Sequence, residues 1–222
     1  MGVGVVVWHA WLIEYRDDGR WFIRHHYAMD NKQALVRFYS LLRQYGHNDS
    51  HSGNISYRVD GDFMITPTGA CADLLETRDL VHCTMDDAHI EKASQDQHVH
   101  RAVYRHNPEA HAVIHCHNPY TIALTLDGED FRPIDLEGMF YFPVVPVVSI
   151  SFKGYFEHSP ILIATALAEY PVVVVRGHGV YAQGKNLEQA FKWCNALEQS
   201  AKTAFLAQQV GTFAEHHDVK GE

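Results

Sequence analysis

The chain has 222 residues, 46% hydrophobic, 12% aromatic and 20% charged, a composition that fits a soluble globular protein with material for one sizeable core. A formal net charge of -9 and a pI near 6.0 exclude a general nucleic-acid binder, because neutralising phosphates takes clustered Lys and Arg that this sequence does not contain. Four scattered cysteines, Cys71, Cys83, Cys116 and Cys194, form no Cys-x-x-Cys pair, which excludes a disulfide scaffold and points to a reducing compartment.

The opening "MGVGVVVWHAWLIEY" is apolar, but it lacks a basic n-region and a small-residue cleavage site and is too short to span a bilayer. A cytoplasmic protein with no membrane contact is therefore expected. "VVVWHAWLIEYRDDGRWFIRHHY" reads as two strands around an Asp-Gly turn, with the "HHY" near residue 25 at the surface. "MDNKQALVRFYSLLRQYG" predicts a helix capped by Asn31 and ended by Gly46. Because Met29 stands just before this helix, residues 1–28 read as an N-terminal extension, either an appendage or sequence upstream of an internal start.

"SGNISYRVDGDFMITPTG" predicts two strands joined by an Asp-Gly hairpin. "QHVHRAVYRHNPEA" reads as a helix closed by Asn-Pro, followed by the strand "HAVIHCHN". "FPVVPVVSI" and "YPVVVVRGHG" are β-branched runs, and "NLEQAFKWCNALEQSAKTAFLAQQ" has helical periodicity with Asn186 as N-cap. With no internal repeat or linker, one domain over 29–211 is expected, and the tail "FAEHHDVKGE", within 212–222, reads as a mobile terminus.

Two features carry candidate chemistry. In "AVIHCHNPYT", His115 and His117 lie two apart at the end of a strand, so both imidazoles share a face and can converge on one point, a spacing compatible with a metal ion or with satisfied histidines in a chain that has 17 of them. Cys116, between them, faces the opposite side and reads as a small core residue. In "VVVVRGHGVYAQG", His178 sits between glycines that let the backbone turn tightly and approach a ligand. Three neutral imidazoles with one open position would make a catalytic zinc site.

In this order, "SGNIS", "ITPTG", "SQDQHVHRAVY", "AVIHCHNPYTIAL", "DLEGMFY", "RGHGVYAQG" and "NLEQAFKWCNALEQSA" resemble the class II aldolase/adducin family, most closely its L-fuculose-phosphate aldolase branch, from about Asn31 to about Gln209. The resemblance implies an α/β (α+β) fold, a three-layer arrangement with a central, mostly antiparallel sheet flanked by helices. It makes His115, His117 and His178 ligands of Zn2+ or another divalent transition metal. It makes Asp96 a fourth ligand in the empty site and the general base once substrate displaces it; as a residue, Asp96 also suits the N-cap of the following helix. Tyr141 aligns with a tyrosine that handles the oxygen-bound proton from a neighbouring subunit.

Substrate phosphate is assigned by the same resemblance to Gly53 and Asn54, Thr68 and Gly69, and Ser94 with Gln95, turns whose amides and hydroxyls can bind an anion without net positive charge. Gln95 stands where the family has a second serine. The implied reaction is metal-assisted cleavage of a ketose 1-phosphate to dihydroxyacetone phosphate and an aldehyde, in a homotetramer with sites at subunit borders. Aspartate rather than glutamate at 96 is characteristic of the ribulose-phosphate 4-epimerase branch, but Phe140 stands where that branch has an aspartate. Alternatives are a sugar-phosphate dehydratase, the 4-epimerase, and a non-enzymatic adducin-like interaction module.

Overall fold

The computed structural model describes residues 6–8, 11–15 and 21–25 at the level of the backbone, and residues 30–87 and 89–213. The chain divides into two compact units, residues 1–31 and 32–222. In the first, β1 (Val6–Trp8), β2 (Trp11–Tyr15) and β3 (Trp21–His25) form an antiparallel sheet in the order β1-β2-β3. The first apolar run therefore makes two strands where the sequence predicts one: it doubles back so that Trp8 pairs with Trp11, and β2 then pairs with β3 from Trp11↔His25 to Tyr15↔Trp21. The Asp18-Gly19 turn, His26 and Tyr27 of "HHY", and the tail from Ala214 onward lie outside the described residues.

Helix α1 (Asn31–Gln44) starts at Asn31 itself, and Gly46 follows it with φ 76°, the left-handed conformation that ends helices. Its Leu35, Tyr39 and Leu42 recur at helical spacing and are buried. Strands β4 (Asn54–Val59) and β5 (Asp62–Ile65) form the predicted hairpin, with Asp60 and Gly61 both at positive φ, as a tight two-residue turn requires. β6 (Val81–Cys83), α2 (Gln97–His106), β7 (Ala112–Cys116), α3 (Pro119–Leu124), α4 (Leu136–Tyr141), β8 (Val147–Val148), α5 (Tyr155–Glu169), β9 (Val172–Val175), β10 (Gly179–Gly184) and α6 (Leu187–Val210) follow. Asn186 caps α6 as expected, accepting a hydrogen bond from the Gln189 amide at 2.8 Å.

Helices α3, α4 and α5 were not legible in the sequence. Two are only six residues long, and α5 carries Pro160 inside an isoleucine-containing run that reads equally well as strand.

The seven strands order as β6-β5-β4-β7-β10-β9-β8, antiparallel throughout except for the parallel β8–β9 edge. This is the three-layer α/β arrangement expected, with a mixed sheet. Alternation divides the core between its two faces. Ala112, Ile114, Cys116, Val172, Val174, Val180 and Ala182 pack on one side with residues of α1 and α6. Val113, Val173, Val175 and Tyr181 pack on the other with α2 and α5, through Val99, Val103, Ile163 and Leu167. Cys116, fully buried on the α1/α6 face, is the core residue that its position between two histidines implied.

Candidate active site

The sheet register assembles the site. On β7, His115 pairs with Asn54 of β4 on one side and Tyr181 of β10 on the other, so three neighbouring strands bring these residues side by side. His117 follows β7, and His178 lies in the turn between β9 and β10. The ligand-competent atoms of His115, His117 and His178 all fall within 4.8 Å of one another, the grouping expected from the sequence.

Two glycines permit this approach. A β-carbon on Gly179 would sit 2.9 Å from the His115 ring and 3.0 Å from that of His117. One on Gly53, whose φ is 70°, would lie 2.6 Å from the His115 carbonyl oxygen.

The donor set suits a divalent cation. The His115 Nδ1 lies 3.0 Å from the Val180 carbonyl oxygen, a bond in which the imidazole must be the donor, so Nε2 keeps a lone pair and faces the His117 Nε2 at 3.0 Å. Burial pushes the His115 imidazole well below its usual range, and those of His117 and His178 downward too, which keeps all three neutral as metal ligation requires.

Asp96 occupies the N-cap position of α2, but its carboxylate does not cap the helix. It turns into the site, where Oδ2 accepts from Asn54 Nδ2 and the Tyr181 hydroxyl, each at 2.8 Å, and Oδ1 accepts from the Tyr155 hydroxyl at 3.2 Å. Oδ2 lies 3.9 Å from His115 Nε2, and Asp96 is not part of the three-histidine group. Burial opposes the charge on Asp96, yet His115 and the bonds from Asn54 and Tyr181 outweigh it and bring the carboxyl down to about 2. Since His115 is neutral at pH 7, the two hydrogen bonds are the contributions that persist there.

A cavity of about 280 Å³ opens over these groups. Its walls include Gly53, Asn54, Thr68, Gly69, Ser94, Gln95 and Asp96 together with the three histidines, so the residues of the three loops singled out in the sequence meet in one pocket. Gly69 adopts a positive φ of 67°, and the Gln97 side chain bonds both the amide and the carbonyl of Ile90, tying down the segment before Ser94.

Tyr141 is elsewhere. It lies on α4 against Trp193, with Lys192 over its ring and its hydroxyl donating to Glu137 at 3.0 Å, and it does not line this cavity. Phe140 beside it is 82% exposed.

Sequence reasoning did not find Tyr155, Tyr181, His51 and Phe156 among the residues at the site. Tyr181 stands three residues after His178 in a motif already singled out, but its place beside His115 follows from the β7–β10 register, which the sequence does not print. Behind the site, the Ser56 hydroxyl joins His100 Nδ1 at 2.6 Å and the Tyr104 hydroxyl at 2.7 Å.

Burial pulls the His100 imidazole down to about 4, against the attraction of Asp96. The unfolded chain takes up this proton near 6.5 and the folded chain only near 4, so stability is expected to fall as pH drops through that window. From His100 alone the loss between pH 7 and pH 5 is about 2 kcal/mol, to be read from urea denaturation of the metal-free protein at the two pH values. His100→Gln, which cannot titrate, should flatten the dependence by that amount.

Three imidazoles thus gather at the strand ends of a three-layer α/β sandwich. The chain belongs to the family described as class II aldolase and adducin N-terminal domain, whose model matches residues 33–205. The 3-oxo-tetronate 4-phosphate decarboxylase of Escherichia coli (strain K12) is 30% identical over 186 residues, covering 79% of this chain and 86% of that one. The L-fuculose phosphate aldolase of Methanocaldococcus jannaschii is 25% identical over 181 residues, covering 80% and 97%. Among solved structures, L-fuculose-1-phosphate aldolase from Thermus thermophilus superposes with a TM-score of 0.75 at 31% identity, covering 83% of this chain and 96% of that one. Among the described residues no helix is long and apolar enough to cross a membrane.

Proposed function

We propose that the protein is an aldolase, dependent on Zn2+ or another divalent transition metal, that cleaves a ketose 1-phosphate to dihydroxyacetone phosphate and an aldehyde in cytoplasmic carbohydrate metabolism. The observation that carries this reading is the convergence of three neutral, desolvated imidazoles beside a buried carboxylate, in a cavity whose other walls are glycine-containing loops. His115, His117 and His178 hold the ion. When bound, it polarises the substrate's carbonyl oxygen and stabilises negative charge developing there.

The chain's own groups do the rest. Backbone and side-chain donors of Gly53, Asn54, Thr68, Gly69, Ser94 and Gln95 hold the phosphate. In cleavage the phenolate of Tyr141 from a neighbouring copy takes the substrate hydroxyl's proton, the carbon–carbon bond breaks to leave aldehyde and enediolate, and the protonated form of Asp96 gives its proton to carbon, so that the proton gained at oxygen balances the one given up at carbon. In synthesis Asp96 removes that carbon-bound proton. Because Tyr141 lies outside its own chain's cavity, the reading requires an assembly with sites at subunit borders, for which we propose a homotetramer. The catalytic unit in this reading is 29–211, with 1–28 an extension and 212–222 a tail.

A second reading is decarboxylation of a phosphorylated 3-oxo acid, favoured by the 30% identity to the decarboxylases. Product analysis of the metal-loaded protein separates the two. Against a panel of ketose 1-phosphates, ribulose 5-phosphate and 3-oxo acid phosphates, we expect dihydroxyacetone phosphate and free aldehyde from a ketose 1-phosphate and no 4-epimers. Release of carbon dioxide from the oxo acids, with the ketoses untouched, would replace the aldolase reading by the decarboxylase one.

A further inference from the structure

His115 and His117 come from one strand end, but they are held in different ways. The His115 ring is anchored by its own Nδ1 on the Val180 carbonyl, the kind of bond that orients a metal-ligating imidazole. The His117 ring has no such anchor: among the described residues its one hydrogen-bond partner is His115 Nε2. Its place is therefore set through its backbone.

That backbone is tied on both sides. The His117 amide donates to Asn48 Oδ1 and to the His47 carbonyl, each at 2.9 Å. Beyond it the chain turns directly into α3, and two ties run from there to α6. Asn118 stands at the N-cap position of α3 yet does not cap it; its Nδ2 donates instead to the Cys194 carbonyl at 2.9 Å. The first amides of α3, which no helix carbonyl can satisfy, are taken by Glu198, one turn further along α6. Glu198 accepts from the Tyr120 amide at 2.9 Å, the Thr121 amide at 3.0 Å and the Thr121 hydroxyl at 2.8 Å.

Glu198 is 4% exposed, and among the described residues it makes no ion pair. A carboxylate is costly to bury unless its oxygens are filled, and these are filled by the two residues that open α3. A side chain at 118 could have capped α3 locally. The remote carboxylate does what a local cap cannot, because it fixes where α3 and the histidine ahead of it sit relative to α6.

We propose that Glu198, with Asn118, is a positioning residue for the metal ligand His117: by fixing the first turn of α3 against α6, it sets the backbone from which that imidazole reaches the other two histidines. Neither residue lines the cavity, so the action runs through His117. The inference rests on the metal-dependent reading of the site.

The test is the Zn2+ affinity of the full-length, metal-free chain, measured by competition against chromophoric chelators. Glu198→Gln keeps the shape but turns one acceptor into an N–H group facing the α3 donors. It is expected to weaken binding by about tenfold, the lower end of the range for groups that orient a ligand. Two backgrounds isolate the route. In His178→Ala the same substitution should again cost about tenfold, whereas in His117→Ala it should cost less than about twofold, because the ligand it acts through is gone. Asn186→Ala, which removes the N-cap of the same helix, reports general loosening of α6 and should leave affinity within about twofold of wild type.

A residue that merely supported the fold would weaken binding equally in all backgrounds, or no more than Asn186→Ala does. Either result overturns the proposal, as does unchanged affinity in Glu198→Gln. Should Glu198→Gln fail to fold, Asn118→Ala removes the other tie and carries the same expectations. A wild-type chain that binds no metal would overturn the metal-dependent reading itself, whereas wild-type binding that Glu198→Gln leaves intact overturns this proposal alone.

Discussion

A chain carrying His115→Ala is expected to purify without metal and without measurable turnover, while the wild type carries about one divalent ion per chain. A tetrahedral protein site binds Zn2+ with roughly 10–16 kcal/mol, so each ligand accounts for roughly 3 kcal/mol and its loss for about a hundredfold or more in affinity. His115 stands to lose the most of the three. It is 2% exposed, its Nδ1 is anchored on the Val180 carbonyl, and its ring lies on Tyr181, so alanine leaves a hole in the desolvated wall as well as a missing ligand. Metal analysis by mass spectrometry, with turnover assayed in parallel, reads both effects. His117→Ala and His178→Ala should follow the same course, and full occupancy in all three variants would sink the site.

Asp96→Asn is expected to reduce turnover by ~10²-fold or more while leaving most of the metal in place. The substitution preserves shape but removes the group that carries the proton. Its amide also presents an N–H toward donors, Asn54, Tyr155 and Tyr181, that now offer a carboxylate three hydrogen bonds. Retention of metal follows from the three histidines, which the substitution leaves in place. Exchange of the carbon-bound proton of dihydroxyacetone phosphate with heavy water, followed by NMR, isolates the step assigned to Asp96. Undiminished exchange in the variant would place the base elsewhere.

Much of this architecture was legible residue by residue. The Asp60-Gly61 hairpin, the Asn186 cap and the opposed faces of His115 and Cys116 are local consequences of backbone sterics and strand alternation, which act over a few residues and leave their signature in the string itself. So is the candidacy of His178, because glycines on both sides of a histidine announce a tight turn and a close approach. The ordered motifs then tied distant segments together by resemblance.

What lay beyond the string was register and direction. Nothing in "RGHGVYAQG" says that Tyr181 stands opposite His115, since pairing is decided by how β7, β10 and the helices on both faces pack together. Nor does an aspartate ahead of a helix say whether it will cap that helix; Asp96 turns away because Asn54, Tyr155 and Tyr181 supply better partners than the helix amides do. Sequence alone determined which side chains have the chemistry. Only the tertiary structure decided which oxygen of Asp96 is tied, because that depends on three strands and two helices meeting at one point.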